Sequence, residues 1–335
     1  MLTPEQAHVV TIQALRLAGS LAAGRLALRC LFPEKVQGPP VEAFGLKFAN
    51  PLGMAAGFDK NGVVWRGLAG LGFGHVEIGT VTPLAQPGNP KPRLYRLVEE
   101  EALINRMGFN NYGAEYLARQ LRKQRSQGTV LGVNLGKNKA TPLDRAVEDY
   151  LSLTRTFAPL ADYLAVNVSS PNTPDLRSLQ TRQALERLLP PLAAERNSLQ
   201  ASLGKRVPIL VKLAPDLNDN ELDGALEAVA GAGMDGLIIS NTSIDHSGLI
   251  SPLAGQIGGL SGAPLRERST LMVEKVVKRC GSRLPVIASG GVMNFADAQA
   301  KLDAGAVLVQ LYTGLIYEGP GLVREILNGG LRISA

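Results

Sequence analysis

From residue 41 onward, short apolar runs alternate with stretches in which apolar residues recur at helical spacing. Each apolar run is short enough for a buried strand and carries small or polar residues towards its end. The eight runs occupy residues 50–57, 75–81, 130–136, 162–170, 208–215, 235–242, 284–291 and 306–314. Clear helical patterns lie between them at residues 220–233 and 269–281. Eight strands alternating with helices predict an α/β fold, a closed (β/α)8 TIM barrel.

A doubly wound sheet would also alternate strands with helices. Eight units and the lack of a dinucleotide-binding glycine fingerprint favour the closed barrel.

Residues 1–40 follow a different pattern. Thr3, Pro4 and Gln6 form a helix start, and the apolar residues after them are interleaved with arginines. We therefore predict an amphipathic N-terminal helical segment over residues 1–40 and a barrel domain over residues 41–335. The segment either caps one end of the barrel or docks on anionic lipid.

Composition narrows the function classes. The net charge is +6, but aromatic residues make up only 5% and the basic residues are scattered, which disfavours nucleic-acid binding. Cys30 and Cys280 are too far apart in the chain to suggest a disulfide framework or a zinc site, so we expect a reducing compartment. No apolar run is long enough for a membrane span, and no secretory signal is evident.

In a TIM barrel, the residues at the carboxyl ends of the strands form the active site. Here they are mostly amides, glycines and lysines, with no histidine and no pair of carboxylates. They are Lys60, Thr80, Asn134, Asn167, Ser170, Lys212, Asn241, Gly290, Gly291, Tyr312 and Thr313. This set argues against a serine hydrolase, a two-carboxylate glycosidase and a metal site. It suits a flat, polar ligand beside an anionic, phosphate-bearing cofactor such as FMN.

Two of these positions invite specific chemistry. Lys212 lies inside an apolar strand. There it is neutralised by a carboxylate in the core, or it forms a Schiff base, or it presents a positive charge to a flavin. Ser170 stands just before Pro171, and Pro174 follows, so the loop is stiff and holds its hydroxyls in set directions. A polar, proline-rich turn without function would look similar.

Nine motifs follow one another along the chain: "NPLGMAAGFDKNG", "EIGTVTPLAQPGNPKPRLYRL", "LINRMGFNNYG", "GVNLGKNK", "NVSSPNTPDLRSLQ", "VKLAPDL", "SNTS", "GGLSGAPL" and "LVQLYTGLIYEGP". By these motifs the chain resembles the membrane-associated, quinone-dependent (class 2) dihydroorotate dehydrogenases over nearly its whole length. The resemblance implies oxidation of (S)-dihydroorotate to orotate with FMN, reoxidation of the flavin by a membrane quinone, and a place in pyrimidine biosynthesis. It also implies a peripheral protein on the cytoplasmic face of a bacterial inner membrane.

The resemblance also implies site residues. Ser170 falls at the position of the catalytic base, and Ser169 is the neighbouring candidate. The implied FMN contacts are Ala56, Gly57, Lys60, Thr80, Asn134, Asn167, Lys212, Ser240, Gly262, Gly291, Tyr312 and Thr313. The implied substrate contacts are Lys60, Asn105, Arg106, Met107, Gly108, Phe109, Asn167, Asn172, Asn241 and Thr242. His8, Arg96 and Tyr312 would line the quinone tunnel.

Three alternatives remain at this point. A soluble dihydroorotate dehydrogenase that uses fumarate or NAD, or another FMN-dependent pyrimidine oxidoreductase, would share the barrel but not the N-terminal segment. A Schiff-base aldolase would use Lys212. A lipid or nucleic-acid binder without catalysis would leave the strand-end residues without a purpose.

Overall fold

The computed structural model describes residues 2–20, 24, 38–123 and 128–333. Eight parallel strands close into a barrel. They are β3 (Leu52–Met54), β4 (His75–Val81), β7 (Val130–Leu135), β8 (Tyr163–Asn167), β9 (Ile209–Leu213), β10 (Gly236–Ile239), β12 (Val286–Ser289) and β13 (Leu308–Leu311). Around the barrel their order is β10, β12, β13, β3, β4, β7, β8, β9. Each of the eight predicted apolar runs contains one of these strands, so the predicted TIM barrel is confirmed.

Helices lie outside the barrel, and those at residues 219–231 and 266–280 match the two helical patterns predicted between the strands. Those described are α1 (Pro4–Ser20), α2 (Trp65–Ala69), α3 (Gly113–Arg122), α4 (Ala146–Phe157), α5 (Arg182–Leu203), α6 (Asp219–Gly231), α7 (Arg266–Cys280), α8 (Phe295–Asp303), α9 (Thr313–Glu318) and α10 (Gly321–Asn328). Helix α6 begins with a capping box in which Asn218 and Glu221 bond each other's backbone N–H groups. Helix α7 ends at Gly281, which has a positive φ of 54°.

The inside of the barrel is filled by side chains and closed at its amino-terminal end. Tyr163, Leu210 and Ile238 form part of an inner apolar cluster, which Phe48 also joins. Phe48 belongs to a short antiparallel hairpin, β1 (Val41–Ala43) and β2 (Leu46–Phe48). The hairpin therefore plugs the end of the barrel that lies away from the catalytic face.

A second antiparallel sheet lies at the carboxyl end of the barrel. It consists of β5 (Leu94–Leu97), β6 (Ala102–Asn105) and β11 (Gly259–Gly262), in the order β11, β6, β5. Asn105 pairs with Gly259 in this sheet. The pattern of apolar and polar positions predicts neither this sheet nor the hairpin. Strands of three or four residues within long connections give almost no periodic signal.

Helix α1 packs beside the barrel mouth. Its first turn has the predicted cap, since Thr3 Oγ1 accepts from the Gln6 N–H and Gln6 Oε1 accepts from the Thr3 N–H. The Glu5 carboxylate bonds the Arg93 guanidinium at 2.8 Å. The predicted continuation of the N-terminal segment through residues 21–37 lies, apart from Gly24, outside the described residues. No helix within the described parts of the chain is long and apolar enough to cross a membrane.

Candidate active site

A cavity of about 980 Å³, its open mouth included, lies at the carboxyl ends of the barrel strands. We call it the site cavity. Its lining includes residues from the ends of β3, β4, β8, β9, β10, β12 and β13, together with Asn105 from the antiparallel sheet. The structure thus brings together the strand ends that the barrel prediction grouped as one site.

Most residues that the resemblance implied are in the lining of this cavity. They are Ala56, Gly57, Lys60, Thr80, Asn105, Met107, Gly108, Phe109, Asn167, Ser170, Asn172, Lys212, Ser240, Asn241, Thr242, Gly262, Gly291, Tyr312 and Thr313. Residues that sequence reasoning did not assign also line it, among them Ser261, Leu265 and Gln310.

Two implied residues are not in the lining. Arg106 is turned aside: its guanidinium donates to the carbonyl oxygen of Pro92 at 2.8 Å and lies over the Tyr95 ring. Asn134 lies one layer beneath the cavity and reaches it only through Thr80 and Asn167. The side chains of Arg106 and Asn134 thus do not face the cavity, and their contacts with a ligand stay predictions.

Amides and hydroxyls form a continuous network at the floor of the site cavity. Asn134 Oδ1 accepts from Thr80 Oγ1 at 2.6 Å and from Asn167 Nδ2 at 3.1 Å. Asn167 Oδ1 in turn accepts from Asn241 Nδ2 at 3.3 Å. Asn241 Nδ2 also donates to Ser169 Oγ at 2.9 Å. Buried polar groups linked in this way hold one another in a single orientation, which suits recognition of a planar heterocycle.

A buried carboxylate, Glu77, lies beneath this network. It accepts hydrogen bonds from Asn134 Nδ2 at 2.8 Å, Tyr163 Oη at 2.9 Å and Gln310 Nε2 at 3.0 Å. Sequence reasoning missed Glu77, although an acidic residue inside the apolar run "HVEIGTV" was a usable signal.

Lys212 enters the site cavity without a bonded partner in the described part of the chain. Its Nζ makes no hydrogen bond or ion pair with any described residue, although the residue is only 5% exposed. Burial lowers the pKa of Lys212, and the negative charge of Glu77 opposes that shift. Of the three interpretations of Lys212, complete neutralisation by a bonded core carboxylate is the one the geometry does not support.

The serine loop separates its two serines. Ser170 lines the cavity, and its Oγ accepts only a long bond from the Asn172 N–H, at 3.3 Å. Ser169 is fully buried, and its Oγ donates to Asn167 Oδ1 at 3.3 Å in addition to its bond with Asn241. Arg177 anchors the loop by donating to the Ser169 carbonyl oxygen at 3.1 Å. The hydroxyl that faces the cavity is therefore that of Ser170.

The loop after β12 fits an anionic group. Gly290 and Gly291 have φ values of 109° and 70°, and a Cβ at Gly291 would lie 2.3 Å from the backbone of Arg266. Only glycine allows this approach between the loop and the start of α7. Behind the loop, Ser269 Oγ donates to the Gly290 carbonyl oxygen at 2.8 Å and accepts from the buried Lys301 Nζ at 2.6 Å. Close approach of backbone N–H groups, which these glycines permit, is what a phosphate site uses.

A second, mainly apolar cavity of about 1280 Å³ lies between α1 and the barrel. We call it the N-terminal cavity. His8, Arg96 and Tyr312, the three predicted tunnel residues, all line it, together with Leu15 and Phe58. The two cavities meet at shared lining residues, which are Lys60, Asn105, Met107, Ser261 and Tyr312. The polar site cavity and the apolar N-terminal cavity thus adjoin each other on the side of α1.

Three ionisable groups near this junction have strongly shifted pKa values. Burial, followed by the charge of Lys60, lowers the pKa of His8 to about 4, so His8 is neutral at pH 7. Burial, followed by the charge of Arg93, lowers the pKa of Lys60 to about 8. Burial raises the pKa of Tyr312 to about 12. Lys60 is the one of these three whose charge changes near neutral pH.

Comparison with known proteins identifies the family. The family model described as dihydroorotate dehydrogenase matches residues 40–332. A "Dihydroorotate dehydrogenase (quinone)" of Pseudomonas putida is 48% identical over 328 residues, covering 98% of this chain and 95% of the relative. One of Halorhodospira halophila is 49% identical over 334 residues, covering 99% and 95%. The crystal structure of DHODH from Eimeria tenella in complex with ferulenol superposes with a TM-score of 0.88 at 37% identity, covering 97% of this chain and 90% of that one. The chain therefore belongs to the dihydroorotate dehydrogenase family, and the two relatives above are named as quinone enzymes of that family.

Proposed function

We propose that this protein oxidises (S)-dihydroorotate to orotate in pyrimidine biosynthesis, with FMN as its cofactor and a membrane quinone as the final electron acceptor. The observation that carries the proposal is the junction of the polar site cavity with the apolar N-terminal cavity at Lys60 and Tyr312. FMN, when bound, supplies a two-electron acceptor that takes a hydride from the substrate and passes the electrons on. Two cavities that meet at one place allow a polar donor and an apolar acceptor to use the same flavin.

The FMN phosphate is assigned to the glycine loop after β12. Gly290 and Gly291 allow close backbone approach there, so that backbone N–H groups can point at the phosphate. The ring system is assigned to the floor of the site cavity, where Lys212 supplies a cation to a flavin that becomes anionic on reduction. Thr80 and Asn167 complete the floor, and Asn134 holds both from below.

Dihydroorotate is assigned to the part of the site cavity under the serine loop. The ammonium group of Lys60 pairs with the substrate carboxylate, and the amides of Asn105, Asn172 and Asn241 hydrogen-bond the ring edges. Asn172 is held for this task because its Nδ2 donates to Asn105 Oδ1 at 3.0 Å.

Ser170 is assigned as the base that removes a proton from C5 of the substrate while a hydride leaves C6. A carbon next to a carbonyl group is already acidified, and as the Ser170 hydroxyl takes up the C5 proton its own proton passes to Thr173 or a bound water. Pro171 on one side and the Arg177 anchor on the other restrict the loop that carries it.

The N-terminal cavity is assigned to the quinone, with His8, Arg96 and Tyr312 in its wall. The outer face of α1 exposes Val9, Val10 and Leu17. This apolar face suits the surface of a membrane, from which a quinone can enter the cavity beneath the helix. We accordingly assign residues 1–40 to membrane contact and quinone access, residues 41–335 to catalysis, and the protein to the cytoplasmic face of a bacterial inner membrane.

A stopped-flow experiment in two halves tests the proposal. In the first, oxidised protein is mixed anaerobically with dihydroorotate, and Ser170→Ala should slow flavin reduction by about 10²–10⁴ while FMN stays bound. Ser169→Ala is compared with it: the Ser169 hydroxyl does not face the cavity but bonds Asn241, so its loss should slow flavin reduction less than Ser170→Ala. In the second, the reduced protein is mixed with a quinone, which should reoxidise the flavin at the same rate in wild type and Ser170→Ala.

Three results would contradict parts of this proposal. Purified protein without flavin absorbance would exclude the cofactor, and near-normal reduction of Ser170→Ala would exclude the base. Reoxidation by NAD⁺ or fumarate instead of quinone would indicate the soluble type of enzyme.

A further inference from the structure

The proposed mechanism gives no role to Glu77, although this carboxylate is 1% exposed and lies inside the barrel beneath the site cavity. A buried carboxylate is costly unless several donors satisfy it. Glu77 has three, from Asn134, Tyr163 and Gln310. One of these donors, Gln310, belongs to a side chain that lines the site cavity, and another, Asn134, lies one layer beneath it.

The carboxylate dictates which way those two amides point. An ionised carboxylate can only accept hydrogen bonds, so each amide must turn its NH₂ group down towards Glu77. The carbonyl oxygen of each amide is then turned away from Glu77. In Asn134 that oxygen is used within the protein, where it accepts from Thr80 and Asn167.

Gln310 differs from Asn134 in one respect. Its Nε2 donates to Glu77 Oε2 at 3.0 Å and lies 3.5 Å from Nε2 of His75. Its Oε1 is buried and has no hydrogen-bond partner among the described residues, and the side chain lines the site cavity. A buried acceptor without a partner is costly unless a ligand satisfies it.

We propose that Gln310 is a further ligand-binding residue, whose Oε1 accepts a hydrogen bond from a ring imide N–H, and that Glu77 is the positioning residue that turns it that way. This proposal rests on the proposed function. An imide N–H is present both in the flavin ring of FMN and in the pyrimidine ring of orotate. Glu77 would also keep a negative charge below the Lys212 ammonium group, where no other described carboxylate influences its protonation.

The test uses the FMN-loaded protein and two binding measurements that do not depend on turnover. FMN retention is measured by the fluorescence of flavin released on dilution, and orotate affinity by the shift of the flavin absorbance spectrum. Gln310→Leu removes the acceptor oxygen but keeps a side chain of similar volume. It should weaken either FMN retention or orotate affinity by about tenfold, the effect of one lost hydrogen bond. Weaker FMN retention assigns the N–H to the flavin, and weaker orotate binding with normal FMN retention assigns it to the substrate.

Tyr163→Phe is the matched control. It removes a donor to the same Glu77 carboxylate but does not line the site cavity, so it should change both affinities less than twofold. Unchanged affinities in Gln310→Leu would overturn the binding role. Protein that lacks flavin even as wild type would instead contradict the proposed function, so the two failures are distinguishable.

The positioning role of Glu77 is tested by a double-mutant cycle. Glu77→Gln can donate as well as accept, so it no longer forces Gln310 to present its oxygen. If Glu77 acts through Gln310, adding Gln310→Leu to Glu77→Gln should lower the affinity for that ligand less than threefold. In the wild-type background the same substitution should lower it about tenfold. A full tenfold loss in both backgrounds would overturn the positioning role. If Glu77→Gln does not fold, the comparison of Gln310→Leu with Tyr163→Phe still decides the binding role.

Discussion

Affinity for orotate is expected to fall as the pH rises above about 8, because the Lys60 ammonium group pairs with the carboxylate of the ligand. Lys60 is held at the edge of the site cavity, where its Nζ donates to the Gly57 carbonyl oxygen at 2.6 Å. Burial and the nearby Arg93 charge lower its pKa to about 8, and the charges of Glu5 and Asp59 oppose the shift only in part. Most of the titration therefore takes place between pH 7 and pH 9.

The sign and size follow from the pKa. With a pKa of about 8 in the free protein, Lys60 is about 90% protonated at pH 7 and about 10% protonated at pH 9. Only the protonated form attracts the ligand carboxylate, and the bound carboxylate keeps the lysine protonated. The apparent dissociation constant of orotate should therefore rise about tenfold from pH 7 to pH 9, which corresponds to about 1.4 kcal/mol.

The assay is a titration of the oxidised, FMN-loaded protein with orotate at a series of pH values, followed by flavin absorbance. Lys60→Arg is the control, since a guanidinium group keeps its charge over this range, and its affinity should be nearly independent of pH. A wild-type dissociation constant that changes less than twofold between pH 7 and pH 9 would refute the pairing of Lys60 with the carboxylate.

Three other changes have defined outcomes. Gly291→Ala forces a Cβ to within 2.3 Å of the Arg266 backbone at a φ of 70°, and the ratio of flavin to protein in the purified variant should drop. Glu5→Gln weakens the 2.8 Å ion pair with Arg93 that holds the start of α1, so steady-state kinetics should show a severalfold higher KM for quinone and unchanged flavin reduction by dihydroorotate. Tyr150→Phe loses a buried 2.8 Å bond to the backbone of β8, and denaturant unfolding should show about 1–3 kcal/mol lower stability.

The sequence could predict the barrel because its signal is local. Each barrel strand is a short apolar run between turn residues, and in the connections apolar residues recur at helical spacing. The number and order of the strands can therefore be predicted without knowledge of any long-range contact. The eight predicted runs each contain a barrel strand. The same locality explains the successful cap at Thr3 and Gln6, where both hydrogen bonds join residues three positions apart.

Other features depend on contacts between distant parts of the chain. Strands β6 and β11 are about 150 residues apart in sequence, and only their pairing places Asn105 at the cavity. Arg106 carries the right chemistry for an anionic ligand, but its neighbours Pro92 and Tyr95 draw it away. The sequence pattern does not show whether the Arg106 guanidinium binds a ligand or its neighbours in the fold.

The sequence by itself determined the class of fold, the set of strand-end residues and the position of the serine loop, because these follow from periodicity and from residue type. The tertiary structure alone decided which serine faces the cavity, which amides point towards it and how the polar and apolar cavities meet. Ser169 and Ser170 are neighbours of the same type, and only the packed surroundings separate them: one is bonded to Asn241 and the other is left facing the cavity. Direction in space is a property of packing, and packing is set by residues far away in the chain.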